Sequence, residues 1–517
     1  MTRKSSVMWL SMAAALTFLY WITMLKYPFA PTALEPHAWA SAHMAVLARS
    51  FAELGIVHLH GVPLQNNLPI GAQPDRYVHW PPLYPMLLSV MFQIFGESEA
   101  SVHAFVILVN VCYVASFYFL VRHCFDKNVA ILSVFGLLTI PVFVQYGRLA
   151  WTPNAALCAV CAALYCFVRG TEKNLSWRWI LAGSIAVAIG VFFSWEAAPL
   201  GFVLLVLATS QQSKIRQIAA ATYSVAGIGA VAIVLVLLVS ASNDIRNELW
   251  ATVRFRMGGV YQPTAIPIHA LADHVLYTKQ HTNLLSWILN ILDNWLPRLG
   301  GTVGLSSTIG VSLWAWRRRK ARPDVLFVVV GLLGIVVVWA VLFPNHITHE
   351  YEPLIAAPLF GIAIGVVLKI GGERLKGTGR LVVSIIVPLI LIIPLARQAM
   401  IAFRRPQPDK IIKYAKDIEG STPPSAVILS PVDTMVTVYY SRRHIIRSVT
   451  DDETLRLVMQ QAGSVFPNTD IYIAIPPDSL GWFPCAASRF PLVRHTGNVI
   501  LLRVTADTCE SRSVAEK

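Results

Sequence analysis

The chain has 517 residues, of which 55% are hydrophobic and 14% are charged. Soluble domains carry about 25% charged residues, and the apolar residues here come in long blocks, so the composition excludes an ordinary soluble protein and predicts a polytopic membrane protein. The formal net charge of +14 comes mostly from loops between apolar segments, and no nucleic-acid-binding motif accompanies it, so nucleic acid is not an expected partner.

Long apolar segments predict about 11–13 transmembrane helices. The first is taken as an uncleaved helix with its amino terminus inside, because Arg3 and Lys4 precede it and no small-x-small cleavage site follows. The candidate segments cover residues 8–25, 101–121, 128–145, 153–168, 178–194, 196–210, 217–240, 299–316, 324–343, 352–369 and 380–400.

Lysine and arginine concentrate in alternate loops, such as 317–322, and these loops are expected to face the cytoplasm. The first loop (31–81), a large loop (241–298) and the tail are then external. Segment 82–96 spans only about 22 Å as a helix and opens with a proline pair, so it predicts an interfacial or re-entrant helix.

The composition shifts near Pro406, which divides a membrane domain (1–404) from a small extracytoplasmic α/β domain (405–517). Strands are predicted over 426–430, 444–449, 470–475 and 498–504, and helices over 433–440 and 451–462. The predicted fold class is therefore a mostly α polytopic membrane protein with a small C-terminal α/β domain. Cys485 and Cys509 are the only cysteines in that domain, and a disulfide or two free thiols both fit.

The first candidate for chemistry is Glu35, just after the first helix, with His37 as a nearby candidate substrate contact. A carboxylate at the membrane boundary can act as a base toward a hydroxyl. The alternative is a solvated acid at a helix start.

The second candidate group closes the first loop. Arg76 and His79 can hold a phosphate, since arginine offers a planar fork and histidine can donate. An interface belt without a ligand is the alternative. The candidate substrate-binding residues here are Asp75, Arg76, His79, Trp80 and Tyr84.

The remaining candidates lie on outward turns. Glu196, Arg148 and Asn154 flank apolar segments, where an ionisable residue is costly unless it faces a cavity or water. The candidates on the last such turn are His346, His349, Glu350 and Tyr351. Two histidines three apart beside acids are similar to a metal cluster, but no third ligand is fixed by spacing, so a divalent metal is not favoured and no metal ligand is assigned.

Several motifs in this order resemble the GT-C class of membrane glycosyltransferases, near the protein O-mannosyltransferases and the bacterial lipid A aminoarabinose transferases (family 39-like). The motifs are Glu35 after helix one, Leu47-Ala48-Arg49, the His79–Tyr84 closure, the Gly147–Thr152 turn and the stretch from His349 to Pro358.

The resemblance implies a polyprenyl-phosphate sugar donor and an inverting transfer on the outer face, with Glu35 as the base. Three features depart from the family pattern. The family's acid usually lies closer to the Ala-Arg of the amphipathic helix than Glu35 lies to Ala48-Arg49. Trp80 stands where lysine is frequent, which leaves His79 or Arg76 to hold the phosphate. Pro153 stands where the family has an aspartate, which argues against a metal requirement.

The sequence thus predicts a glycosyltransferase of a bacterial-type inner or plasma membrane, in contact with the lipid bilayer and acting on a lipid, protein or polysaccharide acceptor. The active site and the C-terminal domain are expected outside the cytoplasm. A transporter or flippase for a lipid-linked sugar is an alternative, although no internal repeat supports it. A non-catalytic cell-envelope scaffold is another.

Overall fold

A computed structural model of the chain describes most of its length. The described residues are 3–25, 29, 39–67, 76–241, 301–342, 352–404, 410–432, 435–446 and 469–504, with isolated positions between 246 and 299 and between 449 and 466. The large loop predicted over 241–298 and the helix predicted over 451–462 fall almost entirely outside these residues.

The described part before residue 242 contains ten α-helices. They are α1 (Arg3–Met24), α2 (Trp39–Leu54), α3 (Leu83–Phe95), α4 (Glu99–Cys124), α5 (Lys127–Thr139), α6 (Pro141–Tyr146), α7 (Thr152–Thr171), α8 (Trp177–Phe193), α9 (Leu200–Ser210) and α10 (Lys214–Ala241). A short 3₁₀ turn, Trp195–Ala197, joins α8 to α9.

The membrane part continues with further apolar helices. They are α11 (Gly301–Arg317), α12 (Pro323–Leu342), α13 (Ala357–Arg374), α14 (Gly377–Leu381) and α15 (Val387–Arg404). A 3₁₀ turn, Glu352–Ala356, precedes α13, and a π-helical turn, Val382–Ile386, joins α14 to α15.

Within the described residues, seven helices are long and apolar enough to cross a bilayer by length and composition, and four shorter apolar helices accompany them. The chain is a multi-pass integral membrane protein. The seven are Lys4–Met24, Glu99–Cys124, Thr152–Thr171, Lys214–Ser240, Pro323–Leu342, Glu352–Arg374 and Gly377–Ile401.

The prediction of a single helix over 128–145 is wrong, because α5 and α6 occupy this segment. Ile140 has extended backbone angles (φ −61°, ψ 128°), and Pro141 begins α6. Proline disfavours the helical conformation in the residue before it and has no N–H for the helical ladder, so α5 ends there. The short helix predicted over 82–96 is present as α3.

The tail contains the expected small sheet, which confirms the predicted fold class. Its described strands have the order β2-β1-β3-β5-β4, with β2, β1 and β3 parallel and the last two pairs antiparallel. The strands are β1 (Val427–Leu429), β2 (His444–Ile446), β3 (Ile471–Ile475), β4 (Leu492–His495) and β5 (Ile500–Arg503).

Three helices of the tail frame this sheet: α16 (Lys410–Glu419), α17 (Met435–Ser441) and α18 (Pro484–Arg489). The sequence predicted α17 but neither α16 nor β4. All four residues of β4 are exposed, so the strand lacks the alternation of apolar and polar residues that marks a half-buried strand.

The two faces of the sheet belong to different cores, as the alternation of side chains along a strand requires. Ile428 and Ile445 join a core that continues into the membrane helices, whereas Val427 and Ile446 pack into a separate core on the other face. The tail is therefore built onto the membrane part through one apolar face.

Candidate active site

The amino-terminal end of α2 is fixed on the turn between α6 and α7. The backbone N–H of Ala150 donates to the Ser41 hydroxyl at 3.0 Å. The Trp39 and Trp151 rings lie edge to face with centroids 6.2 Å apart. These contacts place α2, the helix that follows the Glu35 loop, beside the turn that contains Arg148. The sequence predicted that this loop and this turn lie on the same side of the membrane.

Two buried amides hold the turn itself. The side-chain amides of Asn110 and Asn154 both donate to the Gly147 carbonyl, the second at 3.3 Å. Asn154, predicted as a substrate contact, therefore has a positioning contact within the chain. The adjacent Arg148 is buried, with Nη1 3.5 Å from the Met24 sulfur at the end of α1.

The closing segment of the first loop is bonded to an earlier part of the same loop. The backbone N–H of Tyr77 donates to the Pro63 carbonyl at 2.8 Å, and Arg76 Nη1 donates to the Leu59 carbonyl at 3.0 Å. Burial lowers the pKa of the Arg76 guanidinium from its ordinary value, and an arginine stays protonated in proteins. Arg76 thus bonds its own loop and carries a charge there.

An aromatic wall runs along the segment. The Tyr77 ring lies between His43, with centroids 4.6 Å apart, and His79, at 5.3 Å. The Trp195 indole N–H donates to the His79 carbonyl at 3.1 Å. His79 is half-buried, so it lies at the edge of this aromatic wall, partly exposed to solvent.

Trp80 and Tyr84 are buried members of this aromatic wall. The Trp80 and Trp151 rings have centroids 6.1 Å apart, and the Tyr84 and Phe105 rings have centroids 5.0 Å apart. Trp80 and Tyr84 support the segment from within, rather than anchoring an exposed loop.

Two buried carboxylates lie on the 3₁₀ turns beside the site. Glu196 accepts a hydrogen bond from the Ser194 hydroxyl, and Glu352 accepts one from the Trp339 indole N–H at 3.2 Å. Both turns pack against α7 and α12. The sequence placed Glu352 at the end of the predicted group 345–352 but assigned it no role, although an acid next to an apolar span is the signal that pointed to Glu196.

The sequence reasoning also passed over His43, which lies four residues after Trp39 on α2. Residues four apart share a helix face, so the spacing predicts that the two rings meet; their centroids are 6.1 Å apart. The predicted residues Glu35, His37, Asp75, His346, His349, Glu350 and Tyr351 lie outside the described part of the chain. Within the described part, no group of three or more His, Cys, Asp or Glu side chains could hold a metal ion.

The C-terminal tail covers the other end of α2. Arg49 bonds Glu97 through two nitrogens, at 2.5 and 2.8 Å, and donates to the Tyr439 carbonyl at 2.9 Å. Its guanidinium also lies 4.8 Å from the centroid of the Tyr439 ring. Arg442 reaches the second oxygen of Glu97 at 2.8 Å. One carboxylate therefore joins α2 to the tail.

A second contact joins the tail to the segment that leads toward Glu35. The Tyr440 hydroxyl donates to Glu99 at 2.7 Å and accepts from the backbone N–H of Phe29 at 3.1 Å. Burial and the neighbouring Glu99 carboxylate raise the pKa of the Tyr440 phenol well above its usual range, so its O–H remains a donor. The tail thus holds residues on both sides of the Glu35 loop.

Comparison with known proteins agrees with this architecture. Residues 79–240, under a third of the chain, match the family model described as dolichyl-phosphate-mannose-protein mannosyltransferase. No curated protein matches by sequence.

Two solved structures match almost the whole chain. ArnT from Cupriavidus metallidurans bound to undecaprenyl phosphate is 12% identical with a TM-score of 0.64, over 98% of this chain and 99% of that one. Oligosaccharyltransferase AglB from Archaeoglobus fulgidus, in complex with an inhibitory peptide and a dolichol-phosphate, is 13% identical with a TM-score of 0.58, over 98% and 76%.

The chain therefore has the fold of GT-C glycosyltransferases, and the resemblance drawn from the sequence is confirmed at the level of that class. Matches at this level of identity define the fold, while the activity rests on the residues of the site.

Proposed function

We propose that this protein is a glycosyltransferase that moves a sugar from a polyprenyl-phosphate donor to an acceptor hydroxyl at the outer face of the membrane, with inversion. The observation that carries the proposal is the assembly of the first-loop closure, the Arg148 turn and two buried carboxylates at one end of a GT-C fold. That fold is shared with a structure bound to undecaprenyl phosphate.

In this proposal Glu35 is the base. It takes the proton from the acceptor hydroxyl as that oxygen attacks the anomeric carbon. The bond from the anomeric carbon to the phosphate oxygen breaks, and the phosphate leaves with the electron pair. Glu35 lies four residues before Trp39 in the sequence, so an extended chain between them spans at most about 14 Å, and this short separation supports the assignment.

The leaving phosphate acquires charge, and nearby donors stabilise it in the transition state. Arg148, Arg76 and His79 are the candidates, because a guanidinium or an imidazole N–H makes charge-assisted hydrogen bonds to phosphate oxygens. The donor tail would lie among the apolar helices. Its phosphate and sugar would lie at the membrane boundary, where these polar groups are found.

The test is transfer from a radiolabelled polyprenyl-phosphate sugar by the purified protein, with lipid, peptide and polysaccharide acceptors supplied separately. We expect Glu35→Gln to lower kcat by roughly 10²- to 10⁴-fold, the usual contribution of a general base, with little change in donor affinity. Glu53→Gln is the matched control, because Glu53 is an exposed acid on α2.

Equal transfer by the wild type and Glu35→Gln would remove Glu35 from the mechanism. Donor binding without transfer by the wild type would favour the transporter alternative. The acceptor that receives label identifies the acceptor class.

A further inference from the structure

A cavity of about 310 Å³ lies at the end of the bundle opposite the candidate active site. Helix α7 runs from Thr152 beside the site to Thr171 at the cavity, and its 20 residues span about 30 Å. The polar side chains that line the cavity are His123, Thr171, Glu172, Arg216, Arg322 and Asp324.

Both carboxylates of the cavity have cationic partners. Arg322 forms a two-point contact with Asp324, at 3.1 and 3.3 Å. Glu172 lies 3.8 Å from Arg169 and 3.9 Å from His123 Nε2. The acidic groups are therefore already paired within the protein.

Arg216 is different. It is half-buried, and its guanidinium lies 4.9 Å from the centroid of the Phe327 ring and 3.4 Å from the Gln211 amide oxygen. No carboxylate among the described residues lies within 4.0 Å of it. Arg322 pairs with Asp324 and Arg169 with Glu172, so Arg216 is the arginine of the cavity lining that has no carboxylate within ion-pair distance among the described residues.

We propose that this cavity binds a phosphate group through Arg216. The planar guanidinium fork matches two phosphate oxygens, and the Phe327 ring holds that plane in place. The cavity volume is at the lower end of the range for small-ligand pockets. The phosphate belongs either to a phospholipid headgroup or to a free phosphate.

This site is separate from the proposed function, because it lies at the other end of α7 and shares no residue with it. Its test therefore measures binding alone. The full-length protein, purified in maltoside detergent, is titrated by calorimetry with dihexanoyl phosphatidylglycerol, with inorganic phosphate, and with dihexanoylglycerol, which lacks the phosphate.

Three variants make the test specific. Arg216→Gln removes the charge and the fork, and we expect at least tenfold weaker binding. Arg216→Lys keeps the charge and is expected to bind with intermediate affinity. Arg318→Gln is the matched control, since Arg318 is exposed on the same end of the bundle and does not line the cavity.

Binding of the phospholipid alone, lost in Arg216→Gln and retained in Arg318→Gln, supports a lipid headgroup. Binding of inorganic phosphate with the same dependence supports a free phosphate. The proposal is overturned if neither phosphate compound binds, if dihexanoylglycerol binds equally well, or if the two glutamine variants weaken binding to the same extent. Elution of Arg216→Gln as a single peak on size exclusion controls for folding.

Discussion

Glu97 accepts hydrogen bonds from two arginines in very different surroundings. The Arg49 side chain is 4% exposed and that of Arg442 is 50% exposed. Removing one partner of a buried pair leaves a charge without compensation, whereas an exposed pair contributes little because water screens it. The same carboxylate thus allows a direct comparison of the two cases.

We expect Arg49→Gln to destabilise the protein by roughly 3 kcal/mol and Arg442→Gln by less than about 1 kcal/mol. The measurement is the midpoint of thermal unfolding in detergent, with Glu97→Gln and the double variants completing the cycle. Similar shifts for the two arginine variants would show that burial does not decide the strength of this contact.

Side-chain partners of this kind could not be predicted from the sequence. Arg49 and Glu97 are 48 residues apart, and Arg49 and Tyr439 are 390 apart. The sequence marked Arg49 only as part of a motif, because no local pattern relates residues at such separations. Glu196 was found because its acid interrupts an apolar block, and Glu352 carries the same signal.

At the scale of elements, the start of α5 depends on one side chain. The Asp126 carboxylate accepts from the backbone N–H groups of Asn128 at 2.8 Å and Val129 at 3.0 Å, and it pairs with Lys369 of α13. Burial alone would raise the pKa of Asp126, but the hydrogen bonds from Lys369, Val129 and Asn128 outweigh it and lower the pKa below 3.8.

Because the folded state lowers this pKa, the stabilisation is complete above the ordinary value of 3.8. It is lost as the pH falls through the lowered folded value. We expect Asp126→Ala to cost about 1 kcal/mol at neutral pH, as for other N-caps, and Asp126→Asn to cost less because asparagine also caps. Thermal unfolding between pH 3 and pH 7 measures both.

The difference between the two proteins should shrink as the pH falls below 3.8, because the stabilisation that depends on the charged wild-type carboxylate is then progressively lost. A difference between wild type and Asp126→Ala that stays constant down to the lowest pH would contradict the assignment. The helix break at Pro141 could be predicted from the sequence, since proline acts locally, but the long apolar run around it favours a single helix.

At the scale of the whole molecule, the order of apolar blocks and one small α/β tail could be predicted, because a bilayer leaves apolar segments few alternatives to a helix. The exposed strand β4 could not, since its pairing with β5 depends on backbone hydrogen bonds and not on buried side chains. Likewise, the sequence divided the chain at Pro406, whereas Ile428 and Ile445 join the core of the membrane part.

The predicted sidedness is tested by labelling single introduced cysteines in intact cells, with the native cysteines replaced. Trp482 and Arg318 are both exposed, one in the tail and one in the basic loop. We expect an impermeant reagent to label Trp482→Cys directly and Arg318→Cys only after permeabilisation, because basic loops are retained inside. Direct labelling of Arg318→Cys in intact cells would show that the predicted topology is wrong.

The outer strand β2 meets a side chain from the first loop. The Asn66 amide donates to the Ile445 carbonyl at 2.8 Å and accepts from the Ile445 N–H at 3.0 Å, so one carboxamide imitates a neighbouring strand. Open sheet edges invite pairing between copies. Asn66 precedes Ile445 by 379 residues and is therefore synthesised first. With the first loop and the tail on the same side of the membrane, the edge can be covered as soon as the tail reaches that side, before a second copy of the chain can pair with it.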